Sequence, residues 1–240
     1  MSDVIRSLHA LTPARVRLDP NGGAAPLAAV LDFQASHAAA RAAIHGAVDW
    51  GALDLTLPVF RVRSRATVRA NYLRRPDLGR LLDPEDEARI PHAPCDVGIV
   101  VADGLSATAV TVQAAPLIRH LCPALEGLTL GPVALVEGGR VAIGDEIASR
   151  MGARLCILLI GERPGLSVSD SLGAYLTHAP RPGTPDSLRN CVSNIHGKGG
   201  LTHAEGAHKI AWLTRQALSR GVTGTALKDH SHLALPLQSE

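Results

Sequence analysis

The sequence predicts an α/β protein: a Rossmann-like, mostly parallel sheet with helices on both faces, preceded by a smaller, mainly helical N-terminal region. Three observations lead there. The run Leu155-Cys156-Ile157-Leu158-Leu159-Ile160 is unbroken apolar sequence closed by Gly161, the signature of a strand buried on both faces. From about residue 96 onward, apolar runs alternate with helical periodicities, a rhythm that predicts parallel strands covered on both sides. Apolar residues make up 46% of the 240 positions and aromatics 2%, so a sizeable core is available and must be built from Leu, Val, Ile and Ala.

The elements follow in order. Residues 1 to about 24, with Pro13, Pro20 and Gly22-Gly23, predict little regular structure. Between residues 26 and 48, Leu27, Val30, Leu31, Gln34, Ala38, Ala42, His45 and Val48 recur at helical spacing. Arg61, Arg63, Arg65, Arg69, Arg74, Arg75 and Arg80 then crowd one segment around Tyr72. The acidic, proline-flanked stretch 84–94 marks a boundary, with residues 1–90 as the N-terminal region and 91–240 as the Rossmann-like domain. Strands are expected at 96–102, 133–136, the run ending at Ile160, around 173–177 and around 191–195. Ser106 is placed to cap a helix whose Ala107, Val110, Ala114, Leu117 and Leu121 share a face, stopping near Pro123. Residues 141–151 supply a short helical segment stopped by Gly152. Thr202-His203-Ala204-Glu205 has capping-box spacing and opens a last helix, closed by Gly221.

Composition narrows the function. A formal charge of +2 does not imply a polyanion partner, and the scarcity of aromatics leaves no stacking surface for single strands. The arginine-rich segment carries Asp77 and Asp83 and no recognisable nucleic-acid motif, so it reads as a solvated or protein-facing surface, with no nucleic acid. No charged start leads into an apolar signal core, and no apolar run approaches the roughly 18 residues of a membrane span. A cytoplasmic protein is expected. Cys95, Cys122, Cys156 and Cys191 are dispersed without a Cys-x-x-Cys pair, and no His-Glu-x-x-His occurs, so no metal site is expected.

The candidate chemistry lies at strand ends. Gly161-Glu162-Arg163-Pro164-Gly165 puts a carboxylate and a guanidinium at the carboxyl end of a strand, where loops of open α/β sheets lie over the ligand crevice. The same five residues also compose a tight turn. Asp103-Gly104-Leu105-Ser106 sits where free N–H groups hold anions, but the Gly-x-Gly-x-x-Gly fingerprint of dinucleotide enzymes is missing. His196-Gly197-Lys198-Gly199-Gly200 lacks the Walker spacing and reads as a mobile loop, and no Gly-x-Ser-x-Gly elbow supplies a nucleophile. From these residues two readings stay open. One is a stand-alone α/β enzyme acting on a phosphorylated small molecule through Asp103, Ser106, Glu162 and Arg163. The other is an interaction domain without a catalytic set of its own.

The run GERPGLSVSDSLGAYLTHAPRPGT, followed by DSLRNCVSNIHGKGGL, resembles the small subunit of ethanolamine ammonia-lyase. Tyr72-Leu73-Arg74-Arg75-Pro76-Asp77-Leu78-Gly79-Arg80 is similar to that family's amino-terminal segment, and the resemblance extends over most of residues 27 to 229. It implies the small subunit of an adenosylcobalamin (coenzyme B12) enzyme that converts ethanolamine to acetaldehyde and ammonia by a radical mechanism. It also implies a large-subunit partner that holds the substrate site and supplies the catalytic side chains, with the N-terminal region contacting that partner. No catalytic residue is then expected in this chain. Glu162 and Cys191 match cofactor-contact positions of the family directly, and Val141, opening Val-Ala-Ile-Gly-Asp-Glu-Ile, matches a third. The Asp-x-His-x-x-Gly signature is absent, which implies a cofactor that keeps its dimethylbenzimidazole on cobalt. A hetero-oligomer housed in a bacterial microcompartment is a further implication. The tail Asp229-His230-Ser231-His232 has no counterpart in this resemblance.

Overall fold

Six strands share one sheet. In the computed structural model, which describes residues 26–234, they are β1 (Val59–Arg63), β2 (Cys95–Ala102), β3 (Val133–Glu137), β4 (Ala153–Gly161), β5 (Leu172–His178) and β6 (Asn190–Ile195). Their spatial order is β1-β3-β2-β4-β5-β6. The expectation for residues 1 to about 24 lies outside the described residues. Helices α1 (Leu27–His45) and α2 (Arg69–Arg74) precede β2 and make the early part of the chain mainly helical. Between β2 and β3 come α3 (Ala107–Ala109), a π turn over Val110–Ala114 and α4 (Ala115–Ala124); α5 (Ile143–Met151) joins β3 to β4, and α6 (His203–Arg220) follows β6. Among the described residues, no helix is long and apolar enough to cross a membrane.

β1, β3, β2 and β4 pair in parallel, as the alternation of strand and helix requires. β5 and β6 do not. β4–β5 and β5–β6 are antiparallel pairs, so the sheet is parallel over four strands and antiparallel at its last two, in keeping with a mostly parallel sheet. The physical reason lies in the connections. Parallel neighbours need a crossover of a dozen or more residues, usually a helix, whereas the segments 162–171 and 179–189 are loops that turn the chain straight back.

Alternate residues of the central strands feed two cores. Val97, Ile99 and Val101 of β2 lie in one cluster with Leu117 and Leu121 of α4 and Ile210 and Leu213 of α6. Val100 and Ala102 lie in the other with Leu158 and Ile160 of β4 and Ile143, Ile147 and Met151 of α5. The two faces are covered unequally. α4 and α6 blanket one face from β2 to β6, while on the other α5 lies over β2 and β4 and touches β5 through the bond between Asp145 and Thr177. Beyond that contact, Tyr175 of β5 is only partly buried and Cys191 of β6 is exposed. This less covered patch is where a site can form.

The helix ends follow the expected signals. Ser106 Oγ accepts a bond from Ala109 N–H at 3.0 Å, and Thr202 and Glu205 form the reciprocal capping box. Gly152 and Gly221 end α5 and α6 at φ 86° and 69°. Gly104 carries a tighter constraint. Its φ is 59°, and a Cβ there would lie 2.3 Å from the carbonyl oxygen of Gly161. The chain after β2 therefore presses directly on the end of β4. Gly104→Ala is expected to destabilise the chain by about 2 kcal/mol or more, read as a lower urea midpoint. Gly165→Ala, whose Cβ would meet its nearest atom at 3.6 Å, should leave the midpoint unchanged. Equal midpoints for the two variants would show that this approach does not constrain the fold.

Candidate functional site

The α5-side face of β5 and β6 opens into a cavity of about 430 Å³. Arg140, Val141 and Ala142 lead into α5 on one side of it, Tyr175 and Cys191 come from β5 and β6, and Asp186 and Arg189 come from the loop between those strands. Pro76 and Arg80, from the segment after α2, close the remaining side. Tyr175 and Cys191 face each other across the β5–β6 pair, so the antiparallel register sets their side chains on the same face.

Of the three residues singled out by resemblance, Val141 and Cys191 line this cavity. Glu162 does not line it, but its charge acts on Tyr175 and Cys191, which do. Its carboxylate accepts bonds from Ser171 Oγ and, at 3.3 Å, from Asn194 N–H, rather than pairing with Arg163 or Arg189. The absence of a side chain on Gly173 makes room for it, since a Cβ there would lie 2.9 Å from Glu162 Oε1. The loop after Glu162 is pinned to the helical face. Ser106 Oγ donates to Ser169 O at 2.7 Å, and Gln113, presented by the π turn, donates to Asp170 O at 3.2 Å. Gly165 N–H closes a turn onto Val168 O at 2.8 Å, so the turn begins at the end of the Gly-Glu-Arg-Pro-Gly stretch, which itself carries the fixed carboxylate. The glycine-rich stretch expected to be a mobile loop is instead a short closed turn, with His196 N–H bonded to Leu201 O and Leu201 N–H to Asn194 O.

The electrostatics keep the Cys191 thiol and the Tyr175 hydroxyl protonated at neutral pH. The Cys191 thiol is solvent-accessible, yet the protein packed around it raises its pKa; the Tyr175 hydrogen bond opposes this and the Glu162 charge adds to it. A thiol shifted upward is a poor nucleophile at neutral pH. The Tyr175 hydroxyl is pushed up to about 12, chiefly by burial, and stays a donor.

The strongest polar feature beside the cavity escaped sequence reasoning. Arg189 and Asp145 form an ion pair in which each side chain is only 2% exposed. Arg189 also bonds Asp186 and donates to Thr184 O at 2.7 Å. Burial raises the Asp145 pKa and the Arg189 partner opposes that shift. A signal existed: Asp145 falls four residues after Val141 and three before Ala148, at core spacing in an apolar stripe. The N–H groups at Nε of Arg140 and Nε of Arg189 are buried beside the cavity without an acceptor.

The residues proposed for a phosphate-handling enzyme do not converge. Asp103 lines a different cleft, of about 240 Å³, with His45, Trp50 and Arg69. Ser106 is buried and spends its hydroxyl on the loop, Leu105 N–H is bonded to Gly161 O, and Arg163 is exposed. That reading is set aside. Several arginines of the basic segment serve the fold instead: Arg63 pairs with Asp83 at 3.0 Å and Arg75 with Asp77 at 2.6 Å. Arg69 binds Asp103 at 3.3 Å, and Arg69 and Arg140 both lie over the Tyr72 ring, 4.6 and 4.2 Å from its centroid.

Comparison with known proteins now bears on the site. The profile of the family described as ethanolamine ammonia-lyase light chain (EutC) matches residues 2–228. The ethanolamine ammonia-lyase small subunit of Bradyrhizobium diazoefficiens is 52% identical over 237 residues, 93% of this chain and 90% of its own length. That of Rhodopseudomonas palustris is 51% identical over 95% of this chain and 91% of its own length. That of Pseudomonas syringae is 46% identical, with 94% and 83% covered.

The second cleft generates a pH effect. Burial raises the Asp103 carboxyl to about 6, against the pull of Arg69 and the Gly138, Gly139 and Gly104 N–H groups. Between the ordinary carboxylate value and about 6, the folded chain holds this proton more tightly than the unfolded chain. Its contribution to stability therefore falls as pH rises from about 4 to about 6, by up to about 3 kcal/mol, and is level above that. Urea midpoints at pH 4.5 and pH 7 should show this component in the wild-type chain and not in Asp103→Asn. An unchanged pH profile in the variant would refute the assignment.

Proposed function

The chain belongs to the ethanolamine ammonia-lyase light-chain family, and we propose that it is the small subunit of that hetero-oligomeric lyase and holds one edge of adenosylcobalamin on the α5-side face of β5 and β6. The observation that carries this reading is the cavity shared by Val141 and Cys191 beyond the edge of α5, over β5 and β6. The residues present suit a corrinoid, whose rim offers amide N–H groups and carbonyl oxygens around an apolar macrocycle. Arg140 Nε and Arg189 Nε lack acceptors, the Tyr175 hydroxyl is a standing donor, and Glu162 is an acceptor fixed in advance by Ser171 and Asn194. When bound, the cofactor supplies the cobalt–carbon bond whose cleavage starts the radical conversion of ethanolamine to acetaldehyde and ammonia.

The work of this chain is binding and shielding. Val141 packs an apolar side chain at the rim, and Cys191 offers a small contact that lets the ring approach the sheet. Glu162 accepts from the rim amides, and the loop from 162 to 171 keeps water from that side. The substrate site and the catalytic side chains belong to a large subunit. The N-terminal region, residues 1–90, offers that partner an apolar surface on α1, where Leu27 and Leu31 are 73% and 54% exposed. Retention of dimethylbenzimidazole on cobalt, and a cytoplasmic assembly housed in a bacterial microcompartment, belong to the same proposal.

The test is the visible spectrum of this chain co-purified with its large subunit, first with adenosylcobalamin and then with ethanolamine. Loss of the cobalt(III) bands, a cobalt(II) signal and release of acetaldehyde are expected. Glu162→Ala should weaken cofactor retention about tenfold by removing one charge-assisted acceptor, and Cys191→Trp should block binding by filling the cavity. Arg163→Ala, on the exposed side of the same turn, should bind like the wild type. An assembly that retains no corrinoid overturns the proposal.

A further inference from the structure

A second cavity, of about 330 Å³, abuts the first. Arg80, Ala142 and Asp186 line both, so the two form one groove running from Cys191 past Arg80 to Glu146 and the turn around Pro182. The charged side chains along this groove are committed, with one exception. Asp186 and Asp145 hold Arg189, Glu146 pairs with Arg150 at 3.1 Å and accepts from Leu82 N–H, and Arg140 donates to Tyr72 O at 3.1 Å. Arg80 is exposed and its side chain makes no hydrogen bond or ion pair to any described residue. Among the described residues neither Arg80 nor Arg140 has a carboxylate partner, while Asp186, which also lines both halves, shares Arg189 with Asp145.

The backbone holding Arg80 is firmly placed. Arg80 ends the 3-10 turn Leu78–Arg80, and Gly79 O accepts Arg140 N–H at 2.7 Å. Gly79 is packed so closely that a Cβ would lie 2.8 Å from Arg140 Cγ. The backbone beside Arg80 is thus locked to the segment that delivers Val141, while its guanidinium is exposed. A planar guanidinium unpaired by the described residues, on a backbone fixed in this way, suits two-point recognition of a phosphate. A ligand that reaches both Cys191 and Arg80 must carry its anion on an arm set off from the part lying on the sheet.

We propose that Arg80 is the anchor of a phosphodiester subsite, and that the groove beside it receives the nucleotide arm through which the cofactor's benzimidazole is tethered to the corrin. This rests on the cofactor reading above and assigns to that site a residue that selects complete cobalamins over corrinoids lacking the arm. A free phosphate ester shares the recognising chemistry and is separated from the tethered diester by the test.

The assembly with the large subunit is titrated, by calorimetry or equilibrium dialysis, with cyanocobalamin, which has the phosphodiester arm, and with dicyanocobinamide, which lacks it. Arg80→Ala is expected to weaken cyanocobalamin binding about ten- to a hundredfold, the range of one lost charge-assisted contact, and to leave dicyanocobinamide within about twofold. Arg181→Ala, which removes an exposed charge outside the groove, should alter neither. Equal weakening of both corrinoids, or weakening of neither, overturns the subsite. Weakened binding of inorganic phosphate with both corrinoids unaffected identifies a free-phosphate site and also overturns it. If the unaltered assembly binds neither corrinoid, the cofactor reading itself falls.

Discussion

The buried pair between Asp145 and Arg189 is the interaction on which the site depends. The two residues lie 44 positions apart, one in the first turn of α5 and the other just before β6, and each side chain is 2% exposed. Burying two charges is costly, and the Coulomb attraction alone seldom offsets it. Here the remaining valences are used as well. Thr177 bonds Asp145, while Asp186 and Thr184 O take further N–H groups of Arg189. The gain is placement more than stability. The loop from 179 to 189 has no helix to fix it over the sheet, and Arg189 holds it against the start of α5. One wall of the cavity and its opposite wall are thereby set relative to each other.

That placement matters because the sheet is covered unequally. A helix lying fully over the α5 side of β5 and β6 would have made a conventional three-layer domain and left no exposed platform. Instead the chain turns back twice without crossing over, and the two antiparallel strands show Tyr175 and Cys191 to the outside. The other face of the same strands carries Leu172, Ala174, Leu176 and Val192 into the main core with α6. One side of the strands is therefore fully used for stability, which leaves the other side free of that duty. Tyr72 extends the same economy. With Arg69 and Arg140 over its ring and its hydroxyl bonded to Gly139 O at 3.2 Å, it separates the Asp103 cleft from the Val141 cavity.

How much of this was legible in the sequence follows from the range of each interaction. β4 was plain, because six apolar residues closed by glycine admit few alternatives, and the Ser106 and Thr202 caps were plain because their partners lie within three residues. β1 was passed over. Val59-Phe60-Arg61-Val62-Arg63 alternates arginine with apolar residues, and its identity as an edge strand comes from pairing with β3, more than 70 residues on. The antiparallel turn-backs were equally hidden, since a buried strand has the same apolar pattern in either direction. For the site, periodicity and spacing could not find Val141, Glu162 and Cys191; the resemblance supplied them, and folding brought two into one cavity and left the third outside its lining, with its charge acting on Tyr175 and Cys191. Arg189 could not be assigned a partner from the sequence, because charge alone does not choose among acids; topology gave it Asp145.

The same distinction explains why a chain proposed to bind and shield a cofactor still requires a precise structure. A surface that orients a large ligand works only if its donors and acceptors stand in place beforehand, because each side chain ordered on binding subtracts from affinity. The contacts around the cavity meet that condition. Glu162 is held by Ser171 and Asn194, its loop by Ser106 and Gln113, Arg189 by two carboxylates, and Arg140 by Tyr72 and the turn at Gly79. Apart from Ser171 and Asp186, which lie in the same loops as the residues they hold, these restraints come from an element other than the one restrained. The sequence motif around Glu162 can therefore carry its role only inside this fold, which is why the resemblance has to extend over nearly the whole chain to be informative about so few residues.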